Sequence, residues 1–160
     1  TNLSFRIVTL VANETLELPY LSTGTYDGIV DWGDGETSIN TYAVRTHTYA
    51  VAGEYVVEIQ GQAREILFGQ PNGVAYKEVL AFGTDSSLNS LDFYNVDSGI
   101  DMSNIADKPK FRPFSRFRLQ FSGIVNGIEQ WDMANVINLK DAFALSDFNL
   151  AIQNINLSSF

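Results

Sequence analysis

Apolar and polar positions alternate through the first sixty residues, the pattern of strands whose side chains point to opposite faces in turn. Leu3, Phe5 and Ile7 share one face, which predicts a strand over residues 3–10. Residues 15–18, Thr-Leu-Glu-Leu, alternate again and stop at Pro19, which has no amide to give to a sheet. A turn at Thr23-Gly24-Thr25 precedes a central strand from Tyr26 to Trp32, with Val30 and Trp32 on one face and Asp31 on the other. Gly33-Asp34-Gly35 breaks it: glycine reaches positive φ without steric cost, and aspartate bonds its own backbone two residues on. Residues 36–42 predict a weak strand or loop. A β-branched and aromatic run, Tyr55-Val56-Val57-Glu58-Ile59, then predicts a strand over residues 53–60, punctuated by Gly61. Strand, tight turn and returning strand are the pattern of a β-sandwich.

After Gly61 the pattern changes. Short apolar strands are predicted at residues 63–68 and 78–82, separated by the turn-forming Gly-Gln-Pro-Asn-Gly of residues 69–73. A motif, Asp-apolar-x-Asn-aliphatic, begins at Asp92, Asp101 and Asp132, with a degenerate copy at Asn156. The last two start 24 residues apart, and Ile128-x-x-Trp131 and Ile152-x-x-Ile155 keep the same interval. A period of about 20 to 29 is that of leucine-rich solenoids. The interval of 31 from Asp101 to Asp132 fits one unit with a short insertion, whereas nine residues from Asp92 to Asp101 is too short for a coil. Val136, Leu139 and Phe143 fall on one helical face and predict a short helix.

Two resemblances follow from these residues. Trp32-Gly33-Asp34-Gly35, His47-Thr48-Tyr49 and Gly53-Glu54-Tyr55-Val56-Val57 resemble, in order and spacing, the signature of PKD (polycystic kidney disease) domains, immunoglobulin-like sandwiches of extracellular proteins. That family implies a spacer or binding module. The matched span is short for such a sandwich, so one edge strand is expected to be missing or to come from later in the chain. The unit from Ile128 to Phe143, ending Asp147-Phe148-Asn149, resembles the BspA-like leucine-rich repeats of bacterial and phage surface proteins. The expected fold is mainly β: a PKD/Ig-like β-sandwich over residues 1–61, then a short leucine-rich-repeat-like solenoid with short helices over residues 62–160.

Composition narrows the chemistry. There is no cysteine, so disulfides and thiolate metal sites are excluded. No apolar run approaches the roughly 18 residues of a membrane-spanning helix, and no membrane insertion is expected. No signal peptide is visible at the start of the chain; either one was removed or the secretory route is not used. The net charge of −9 argues against a duplex nucleic acid as partner. His47 is the single histidine, and its place in the His-Thr-Tyr block favours a structural role over that of a catalytic base. Asp31, Asp34 and Glu36 cluster in one turn and raise the question of calcium, against the plainer reading that Asp34 holds the turn and Glu36 is solvated. The repeated aspartates read as bonding backbone amides at coil corners. No nucleophile, base and orienter can be assembled, so the protein is expected to be no enzyme and to need no cofactor or metal.

The remaining feature is a basic arm, residues 108–118, Lys-Pro-Lys-Phe-Arg-Pro-Phe-Ser-Arg-Phe-Arg. It holds five of the ten bases and no acid, leaving five bases against 19 acids elsewhere. Its prolines argue against a regular helix. Bases alternating with aromatics grip an acidic protein face, an anionic glycan or a nucleic acid. The plainer reading has the phenylalanines capping a core and the arginines pairing with the chain's own acids. The candidate partner-binding residues are Lys108, Lys110, Phe111, Arg112, Phe114, Arg116, Phe117 and Arg118, together with Phe160 in the apolar last stretch, where a solenoid needs a cap or a neighbouring subunit. The expected function is non-catalytic: a virion decoration or adhesion protein on a phage surface, bound into a protein assembly and a possible homo-oligomer. The alternative is a carbohydrate-binding or cell-surface adhesin module of a bacterium, with Trp32, Trp131, Tyr26 or Tyr42 stacking on glycan.

Overall fold

The computed structural model describes residues 1–68, 75–84, 86–94, 100–102, 104–105, 107–120 and 131–138, with the backbone alone at 75, 94, 118–120 and 138. Alternation is translated into strands with little loss. β1 (Leu3–Thr9) buries every second residue, β2 (Glu14–Glu17) buries Leu16, and β3 (Tyr26–Asp31) buries Val30. β4 (Thr37–Ile39) follows the turn, then a single 3-10 turn over Tyr42–Val44, capped by the Thr41 side chain, which accepts the Val44 amide. β5 (Thr46–Tyr49) and the long β6 (Gly53–Ala63) complete the first half. β7 (Glu65–Leu67), β8 (Ala75–Ala81), β9 (Leu88–Tyr94), β10 (Phe111–Gln120) and β11 (Val136–Asn138) complete the described chain.

Three sheets result. The largest is antiparallel, in the order β4-β3-β6-β1-β8. Its fifth strand, β8, comes from beyond Gly61 and pairs with β1, aligning Val79 with Phe5 and Tyr76 with Ile7. The chain thus supplies the extra edge strand from its later part. β2 and β5 form a separate two-stranded ribbon, whose buried Leu16 and Tyr49 join the same core as Phe5, Ile7 and Val57.

The third sheet is parallel, with its strands in chain order β7-β9-β10-β11. Ile66 pairs with Leu91, and Leu91 with Phe117, steps of 25 and 26 residues, and all three side chains are buried. Ser115 pairs with Val136, a step of 21. The Asp-x-x-Asn copies do not mark this ladder: Asp92 lies within β9 opposite Arg118, Asp101 bridges to Glu78 of β8, and Asp132 precedes β11. Val136 opens a strand rather than the expected helix, because its β-branched neighbourhood finds an open strand edge at Ser115 and Arg116. Leu139 and Phe143, the turn at residues 69–73 and the degenerate copy at Asn156 lie outside the described residues.

One apolar cluster runs through all of this. It begins with Leu3, Phe5 and Ile7, passes through Ile66, Phe68 and Phe93, and reaches Phe117, Trp131 and Val136. Phe68 joins the two halves: it meets Phe5 and Tyr76 edge-on and stacks on Phe93 at 5.1 Å.

Candidate docking site

The basic arm is a strand of the parallel sheet, and its phenylalanines divide. Phe111 and Phe117 are buried, 6.0 Å apart edge to face, with Phe117 also edge-on to Trp131 at 5.8 Å. They serve the core and offer no surface to a partner. Phe114 is 79% exposed. Sequence spacing groups the three; the register separates them. Phe111 pairs with Leu88 and Arg116 with Ser90, so five steps along β10 answer two along β9, and the surplus residues bulge out of the ladder.

The bulge is built rather than loose. At its neck Ser115 is buried; its hydroxyl donates to Leu88 O at 2.8 Å and also lies against Arg112 O. Its amide donates to Asn135 O at 3.0 Å, and Asn135 Nδ2 returns a bond to Phe111 O at 3.0 Å. β9 and the residue just before β11 therefore pin the loop. At its tip Phe114 holds φ +63°, a left-handed conformation that bulky residues rarely adopt. Pro113 and Arg116 are exposed beside it and Arg112 is half-buried.

Lys108 and Lys110 are exposed; Lys110 Nζ donates to Thr84 O at 2.6 Å. The described ion pairs are Arg6–Glu78, Arg45–Glu17 and His47–Asp34. Among the described residues, then, Lys108, Lys110, Arg112 and Arg116 meet no carboxylate. The side chain of Arg118 and all of Phe160 lie outside the described set.

The single histidine is absorbed elsewhere. His47 Nε2 lies 2.7 Å from Asp34 Oδ2, and its ring stacks on Trp32 at 4.9 Å while Tyr49 meets it edge-on at 4.7 Å. Asp34 Oδ1 accepts the Glu36 amide and Asp31 Oδ1 the Gly33 amide, so the carboxylates close the turn between β3 and β4. Partial burial alone would raise the pKa of Asp34. Hydrogen bonds from His47 and the Glu36 amide, with the imidazole's charge, outweigh burial and hold it below the usual carboxylate range. Among the described residues no three carboxylate or imidazole groups converge as metal ligands. Asp132 Oδ1 accepts the Ala134 amide at 2.9 Å.

The aromatics that a glycan would need are also engaged. Trp32 and Trp131 are buried, Tyr26 stacks on Tyr20, and the Arg45 guanidinium lies 3.9 Å above the Tyr42 ring. A cleft of about 260 Å³ opens where β1, β7 and the segment before β9 meet; Leu3, Ile66 and Leu91 line it, and no lining residue is acidic.

Sequence reasoning missed three residues that shape these features. Ser115 and Asn135 pin the bulge. Asn40, fully buried, accepts from Tyr20 Oη and donates to Asp27 O and Gln62 O, clipping β3 to β6. Asn135 is the asparagine of the repeated motif that begins at Asp132, but no local pattern marks its bond to Phe111 O, nor marks Ser115 or Asn40, since the partners lie mostly far away in the chain. Comparison with protein-family models, curated proteins and solved structures finds no match.

Proposed function

We propose that this chain is a non-catalytic structural and binding protein carried on the surface of a virion or cell, which docks through the bulge of its basic arm. In this reading the antiparallel sheet and the β2–β5 ribbon are a PKD/Ig-like sandwich. The parallel ladder of β7, β9, β10 and β11 is the start of a short solenoid whose coils stack at steps of about 21 to 26 residues. The observation that carries the docking role is Phe114, an exposed aromatic held at positive φ by a buried serine and flanked by arginines without carboxylate partners among the described residues. Strain of this kind persists only where surrounding structure enforces it, and it clusters at binding sites. The engagement of His47 by Asp34 and Trp32 supports a structural rather than catalytic use of the one imidazole.

The test is to fractionate the native source and follow the protein by antibody. It is expected in the particle or envelope fraction, and Arg112→Glu with Arg116→Glu is expected to release it. Recovery of both forms free of any assembly, or a turnover activity abolished by a single carboxylate substitution, would overturn the reading.

A further inference from the structure

Among the described residues no carboxylate meets the arginines of the bulge, yet a complementary surface lies elsewhere on the chain. On the antiparallel sheet, alternation places Ile29, Ile39 and Val56 on the face away from the core, and all three are exposed. Ile29 and Ile39 are register partners. Asp31, Glu54 and Glu58 share that outward face, and Asp31 sits directly across from Glu58. Like charges so placed repel each other. Among the described residues no base relieves them: Asp31 accepts the Gly33 amide, Glu58 accepts Asn2 Nδ2, and the neighbouring Arg6 is bound to Glu78. One surface therefore offers an aromatic between arginines, and another offers exposed aliphatics beside unneutralised carboxylates.

We propose that the outward face of the antiparallel sheet in one copy receives the Phe114 bulge of a second copy. Phe114 covers Ile29 and Ile39, while Arg112 and Arg116 neutralise Asp31 and Glu58. An anionic polymer would satisfy the arginines but leave the exposed isoleucines and the Asp31–Glu58 repulsion unanswered; a second copy answers both. The bulge belongs to the parallel sheet and the receiving face to the antiparallel one, and among the described residues no hydrogen bond or ion pair joins them. The contact can be made twice about a two-fold axis, closing a dimer, or once per pair, so that copies add head to tail or close into a ring. The inference rests on the proposed docking role of the arm and names its occupant.

Sedimentation velocity of the whole chain tests it, from about 5 to about 500 µM, a range that brackets weak specific association. The wild type is expected to shift to larger species as concentration rises. A bulge-reversed variant, Arg112→Glu with Arg116→Glu, and a face-reversed variant, Glu54→Lys with Glu58→Lys, are each expected to lose association by at least about tenfold. Mixed in equal amounts, the two are expected to associate again, because each supplies the charge the other lacks, an outcome that misfolded variants cannot give. A wild type that stays monomeric throughout, a bulge-reversed variant that still self-associates, or a mixture that stays monomeric would overturn the proposal. If the wild type is monomeric but binds a heparin fragment through Arg112 and Arg116, the second copy is the wrong occupant and the docking role survives. If it does neither, both fail.

Discussion

At the scale of single residues, two positions decide how the antiparallel sheet can form. Gly28 of β3, at φ +101°, is the register partner of Gly61, and a Cβ at Gly28 would run into Gln60 O and the Gly61 Cα. Close backbone approach and positive φ both demand glycine there. Gly28→Ala should destabilise the protein by at least about 2 kcal/mol, read from the urea midpoint; a change of a few tenths would mean the strands can part locally. Asp34 makes a second prediction. Its carboxyl binds its proton less readily in the folded state than in the unfolded one. The stability it contributes is therefore present above the unfolded value of about 3.9 and is lost as pH falls through the lower folded value. The stability gap between wild type and Asp34→Asn should be larger at about pH 6 than at about pH 2.5. An equal gap at both would show that the His47–Asp34 contact does not favour the charged carboxylate.

At the scale of elements, most strands of the first half were legible because they announce themselves, whereas β5, the short run Thr46–Tyr49, was not. Leu3, Phe5 and Ile7 alternate, Gly33-Asp34-Gly35 can only turn, and Tyr55 to Ile59 is β-branched and aromatic. What local pattern cannot carry is which strands pair across long stretches of chain. β8 was visible as an apolar run, yet its place beside β1 depends on Val79 and Tyr76 covering Phe5 and Ile7. For the same reason the ladder that the structure forms follows Ile66, Leu91 and Phe117, ordinary core residues, and not the more conspicuous repeated aspartates. The arm was conspicuous by charge, but its division into two core phenylalanines and one exposed one depends on a bulge defined by the neighbouring strand. Since β8 completes the flank of β1, a fragment of residues 1–68 should lose the cooperative thermal transition followed by the near-ultraviolet signal of the buried Trp32. A fragment that melts sharply with that signal intact would show that the first half needs nothing beyond β7.

At the scale of the whole molecule, one core unites sheets of different kinds. Phe68 and Tyr76 sit between Phe5 on one side and Phe93 on the other, so neither half can open without exposing the other's aromatics. Calorimetry should therefore give a single transition whose van't Hoff and calorimetric enthalpies agree; two resolved transitions would divide the molecule at the junction. Charge is organised on the same scale. Half of the bases lie in eleven residues, while an excess of acid covers the remainder. Such segregation does little for the fold and a great deal for orienting an approaching acidic surface.

On the proposed docking role, Phe114 is held in a costly conformation for recognition rather than for folding. Phe114→Gly tests it most directly, with thermal stability and self-association by sedimentation measured on the same sample. Relief of the positive φ should raise the melting temperature by a few degrees, a gain of about 1 kcal/mol, while association falls at least about tenfold. If stability and association instead decline together, Phe114 is a packing residue and the docking account is contradicted.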